Sequence, residues 1–147
     1  MSTFIHGGSA LQLDVAARAH AALSRGDIVQ IDPAVGATDD GLSTRVPVIS
    51  DALGQVAPYG VVLGSNGKST FALGEDVLIR IMGVCQANMN TASVVGDGVI
   101  LRAATSLAPQ GASTFTADAS GNKLCGIAHT AGTGLQTVFF NGLTTWG

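Results

Sequence analysis

A chain of 147 residues fits a single domain that hides roughly two-thirds of its unfolded-chain area, so a sizeable core is available. It carries only 7 basic plus 10 acidic residues, where an average composition supplies about 37 charges, and the formal net charge is -3. The scattered basic residues leave no phosphate-binding stripe, which argues against nucleic acid; no apolar run approaches a membrane span or a signal segment, which predicts a soluble, unprocessed chain with no membrane partner.

In chain order, residues 1–10 read as an extended arm loosened by Gly7, Gly8 and Ser9. Leu11, Val15, Ala16, Ala19 and Leu23 fit a helical stripe, while Leu11, Leu13 and Val15 fit strict alternation. Residues 11–22 therefore read as a strand or a short helix entering the body. The division that follows is an N-terminal arm or entry segment over 1–20 and a β-barrel-like domain over 21–147.

Three times the chain writes glycine, an acid, any residue and valine: Gly26-Asp27-Ile28-Val29, Gly74-Glu75-Asp76-Val77 and Gly96-Asp97-Gly98-Val99. Glycine supplies the positive φ of a tight turn, the acid stays solvated or caps an amide, and β-branched valine opens a strand. Ile28–Ile31 is one such strand, and 34–44 is a loop. Val46–Ile49 contains Pro47, which lacks a ladder donor and predicts an edge. Tyr59–Leu63, the turn at 64–68 and Ser69–Leu73 read as a hairpin.

Val77, Ile79 and Ile81 alternate with Leu78, Arg80 and Met82, a pattern that predicts a strand covered on both faces. Val99–Leu101, Thr114–Ala117, Lys123–Ala128 and Leu135–Phe140 complete about ten short strands, with turns at 118–122 and 130–134. No β-α-β alternation appears. The fold class expected is all-β, a compact barrel-like or sandwich domain.

Residues that resemble chemical motifs fall short of them. Gly64-Ser65-Asn66-Gly67-Lys68-Ser69-Thr70 ends like a phosphate loop, but its first glycine position holds Val62 and a strand follows. His6, His20, His129, Cys85 and Cys125 are metal-ligand types without ligand spacing, so neither metal nor cofactor is expected. Asp39–Asp40 and Glu75–Asp76 are neighbours that point to opposite faces of a strand and read as solvated acids. No serine or cysteine sits in a nucleophile frame, so an enzyme is not expected. Both cysteines lie in apolar stretches typical of buried thiols, and their pairing stays open.

Low charge, positive mean hydropathy and few lysines predict that part of the neutral surface is covered by neighbouring subunits or another protein. A solvated monomer rich in Ser, Thr, Gly and Asn is the alternative. The candidate interface residues are Phe4, Ile5, Leu11, Phe140 and Trp146. Phe139 and Phe140 face opposite ways on a strand, so one enters the core while the other meets a neighbour. Trp146 either folds back over its own barrel or reaches a second subunit.

The succession of phrases adds a further expectation. An Ala-rich entry leads into Gly26-Asp27-Ile28-Val29, then come Tyr59-Gly60-Val61-Val62, the Gly74 segment, Gly96-Asp97-Gly98-Val99-Ile100-Leu101, Gly126-Ile127-Ala128, and a last alternating strand over 136–142. From Ala21 to Gly142 this order resembles the capsid decoration, or cement, proteins of tailed bacteriophages. It departs from them in an insert over 42–57 and in the N-terminal segment. The resemblance implies a noncatalytic homotrimer, made in the host cytoplasm, that binds major capsid protein on the outside of an icosahedral head and stabilises the lattice. The rival readings are a β-rich tail or fibre module that binds a receptor, and a small β-barrel enzyme.

Overall fold

The computed structural model describes residues 12–31, 48–51, 59–64, 67–103, 106–109 and 124–142. Among these residues there are eleven strands and no helix. In order they are β1 (Leu13–Ala19), β2 (Leu23–Ser24), β3 (Ile28–Ile31), β4 (Val48–Asp51), β5 (Gly60–Val62) and β6 (Thr70–Phe71), then β7 (Asp76–Ser93), β8 (Gly98–Ala103), β9 (Ser106–Pro109), β10 (Leu124–Ala128) and β11 (Gly132–Asn141).

The glycine-acid phrases are one device used three times. Gly26, Gly74 and Gly96 have φ of 88°, 85° and 90°, each at the third position of a four-residue turn. Each turn is closed twice by its acid. The backbone N–H of Asp27, Glu75 and Asp97 donates to the carbonyls of Ser24, Ala72 and Val94 at 3.0, 3.1 and 3.1 Å. Their carboxylates accept from the N–H groups of those same residues at 2.7, 2.6 and 2.8 Å. The turn is then stitched to a buried strand residue. Gly26 N–H donates to Val62 and Val62 donates back to the Asp27 carbonyl; Ala19 exchanges the same pair of bonds with Gly74 and Glu75, and Ala128 with Gly96 and Asp97. A short local pattern thereby also sets long-range register.

The nine-stranded sheet runs β1-β4-β3-β5-β7-β11-β10-β8-β9 and returns to β7 twice, through β1–β7 and β7–β9. Two closed five-stranded circuits result, sharing β7. The first is β1-β4-β3-β5-β7, with β1 antiparallel to β7 over Asp14↔Arg80 to Arg18↔Asp76. The second is β7-β11-β10-β8-β9, closed by the parallel pair Met89↔Leu107. β7 changes partners near Gly83, whose φ is 127°. The protein is an all-β, barrel-like domain.

Each circuit has its own core. Ala17, Ala19, Val29, Val62, Val77 and Ile79 fill the first, and Leu23 and Phe71 from the small β2–β6 sheet pack into it. Cys85, Met89, Leu101, Leu107, Val138 and Phe140 are among those filling the second, joined by Ile28 and Val61 from the first circuit. Every odd residue of β7 from Val77 to Met89 is buried.

Four expectations are corrected. Only one face of β7 is covered: Leu78 and Val84 are exposed, because the odd positions line both cores and the even positions look outward, where Arg80 meets Asp14. The strand after Pro47 is not an edge; β4 is hydrogen-bonded to β1 on one side and β3 on the other. β6 does not form a hairpin with β5 but pairs with β2, Leu23↔Phe71. Gly132–Gly134 belongs to β11 as an irregular start rather than a free turn. Residues 13–19 of the entry segment are an integral strand, and β9 is a strand that the sequence reading leaves out. Thr114–Ala117 lies outside the described residues.

Candidate functional site

Most of the large apolar side chains that the fold leaves exposed lie at turn tips and on the outer face of β7. At the second position of each phrase turn stand Arg25, Leu73 and Val95. Leu73 is 65% exposed, and Val94 and Val95 are 62% and 69% exposed. Leu73 lies just before β7 and Val94–Val95 just after it, at opposite ends of the longest strand. On the outer face Leu78 stands opposite Ala16, and Val84 opposite Phe139. Leu13 and Leu135 are also exposed.

Charges near this surface are largely neutralised by partners. Asp14 and Arg80, directly opposite across β1 and β7, form a two-pronged pair, Nε–Oδ1 at 2.7 Å and Nη2–Oδ2 at 2.9 Å. The Asp14 hydrogen bonds raise the Arg80 pKa against a smaller opposing effect of burial. Arg18 lies 3.6 Å from Asp76. Lys68 binds Glu75 and sits 5.4 Å above the Phe71 ring, while the Glu75 carboxyl is held below its usual range by Lys68 and by the Ala72 amide.

These contacts answer the chemical look-alikes. Lys68 is committed to Glu75 and Phe71, and a strand follows it where a phosphate loop needs a helix N-terminus. Glu75 and Asp76 split toward Lys68 and Arg18 instead of sharing a proton. Cys85 and Cys125 are free, buried thiols, pushed up to about 12 by desolvation. Cys125 Sγ lies 3.4 Å from the Val99 carbonyl. No three His, Cys, Asp or Glu side chains among the described residues converge as a metal set.

Of the sequence-predicted interface residues, only Phe140 lies among the described residues, and it is corrected. It is fully buried in the second core because its register partner Gly83 places it on the inward side, and Phe139 is the one facing outward beside Val84. Phe4, Ile5, Leu11 and Trp146 lie outside the described residues. Leu73, Val94 and Val95 are the exposed residues the reading missed. The signal for Leu73 and Val95 was in the chain: the residue before the glycine of each phrase is the second of a four-residue turn and lies outside the packed strands.

No protein-family model matches the chain, and none of the curated proteins matches it. Among solved structures it is similar to the head fiber gp8.5 N base in bacteriophage phi29, with a TM-score of 0.60 and 17% sequence identity over 89% of this chain and 95% of that one. What the two share is the fold. The likeness spans nearly all of both chains, so both have the same domain architecture. The aliphatic tips and the outer face of β7 present apolar area with little unpaired charge.

Proposed function

We propose that this chain is a noncatalytic structural protein of a tailed-phage particle that binds the outside of the head and reinforces the capsid lattice. The observation that carries this reading is the fold shared, over nearly the full length of both chains, with a base domain from a phage head fiber. The order of glycine-acid phrases points to the same class of protein. Lattice reinforcement needs distributed apolar and backbone contacts made to the assembled shell better than to its separated subunits, and a charge-poor surface with exposed aliphatic tips offers such contacts. The partner in this reading is major capsid protein, and the working form is a homotrimer on the capsid exterior.

The neighbour's role favours one further reading, in which the domain is the foot of a projecting fibre and anchors it without stiffening the shell. Adding the purified chain to expanded empty heads separates the two. Regular occupancy by cryo-electron microscopy, with a higher temperature of head disruption, is the outcome expected for a decoration protein. Occupancy without stabilisation favours the fibre foot. Absence from the head surface overturns both.

A further inference from the structure

Charge is divided unevenly at the point where β7 changes partners. Asp97, Arg102, Asp118 and Lys123 are the only charged residues from 83 to 147, two of each sign, whereas residues 1–82 hold 5 basic and 8 acidic ones. The Asp97 carboxylate is occupied by the Val94 amide. Among the described residues of the second circuit most exposed side chains are aliphatic or neutral polar, Val84, Val94, Val95 and Leu135 beside Asn90 and Thr133; the exceptions are the His129 imidazole at the end of β10 and Arg25, which reaches across from the first circuit to donate to Gln86. The first circuit also exposes Leu73 and Leu78, but amid Asp14, Arg18, Lys68, Glu75, Asp76 and Arg80.

Two copies related by symmetry bring like residues together, so a face with net charge repels its own copy while an uncharged one does not. A foreign partner gains from complementary charge in steering and specificity, and this half offers almost none. Interface centres are depleted in charge, and solvent-facing surface is kept soluble by it. We propose that the second circuit, around the Val94–Val95 turn, is the surface through which this chain meets a second copy of itself, and that the charged first circuit faces away from that contact. This rests on the multimeric part of the reading above and not on head binding.

The test is the mass of the full chain by sedimentation equilibrium over a concentration series, at low and high salt, for the natural protein, Val95→Asp, Val94→Lys and Leu73→Asp. The natural protein is expected to self-associate with the same affinity at both salts. Val95→Asp and Val94→Lys should weaken association about tenfold or more, with melting unchanged at dilutions where the natural chain is itself dissociated, because a tip carboxylate or ammonium is solvated in the free chain and stranded in the contact. Leu73→Asp should behave as the natural protein does. A natural chain that stays monomeric at every concentration overturns the proposal, as does dissociation by Leu73→Asp but not by the two valine variants, or by none of the three. Self-association without head occupancy leaves the proposal standing and overturns the head-binding reading, so the two fail separately.

Discussion

At Gly26 the backbone φ is +88°, and an added Cβ would lie 2.2 Å from Leu135 Cδ2 and 3.3 Å from the Asn88 nitrogen. Gly96 has the same φ, +90°, with nothing within 4 Å. The same phrase therefore carries unequal constraints. Gly96→Ala costs the left-handed backbone alone, about 1–2 kcal/mol, whereas Gly26→Ala adds overpacking of another ~1–3 kcal/mol. Urea unfolding of the two variants should rank them in that order; equal losses would show that Leu135 simply moves aside. The positive φ is legible in the phrase itself, since an acid closing a turn after glycine is a local event. The crowding at Gly26 is not, because Leu135 comes from 109 residues away in the chain and meets it only through the tertiary fold.

At the scale of elements, β1 and β7 are held by a cross-strand ion pair whose surroundings decide its worth. The Arg80 and Asp14 side chains are 15% and 29% exposed, against 56% and 77% for Arg18 and Asp76 on the same strands. Asp14→Asn leaves a half-buried guanidinium without its counter-charge and should cost roughly 1–3 kcal/mol, while Asp76→Asn should change stability by less than about 0.5 kcal/mol. Denaturant midpoints measure both, and equal midpoints would mean that Arg80 is rehydrated when Asp14 loses its charge. Strands with a clear pattern were legible: β3 and the cores of β7, β8, β10 and β11 fall where apolar residues begin after turn residues. Pairing was not. Nothing local distinguishes β6 as the partner of β2 rather than β5, and Pro47 marks where β4 starts without revealing that β4 has neighbours on both sides.

Across the whole molecule, the shared strand β7 makes neither circuit closed without the other's central element, so the domain should unfold as one unit. Cys85 and Cys125 report this, both lying in the second core. Their thiols should resist a disulfide reagent in the native protein and become reactive in urea along the same curve that circular dichroism follows; reactivity preceding loss of the β signal would show that the second circuit opens by itself. A thiol raised from 9.0 to about 12 favours the folded state fully below the unfolded value. That contribution is lost as pH rises from 9 toward 12, so stability should decline on the alkaline side, less steeply in a Cys85→Ala, Cys125→Ala chain.

The residue order alone settled the all-β class, the three turns and the scarcity of charge, because each depends on neighbours a few positions apart or on composition. Which face of β7 is buried, which phenylalanine lies inside, and the closing of two circuits on one strand were decided only in three dimensions. Those depend on contacts between distant segments, where a one-residue change of register sends a side chain to the opposite face of the sheet. The aliphatic turn tips lie between these cases. The phrase places them at the apex, and the packed barrel then leaves them without cover.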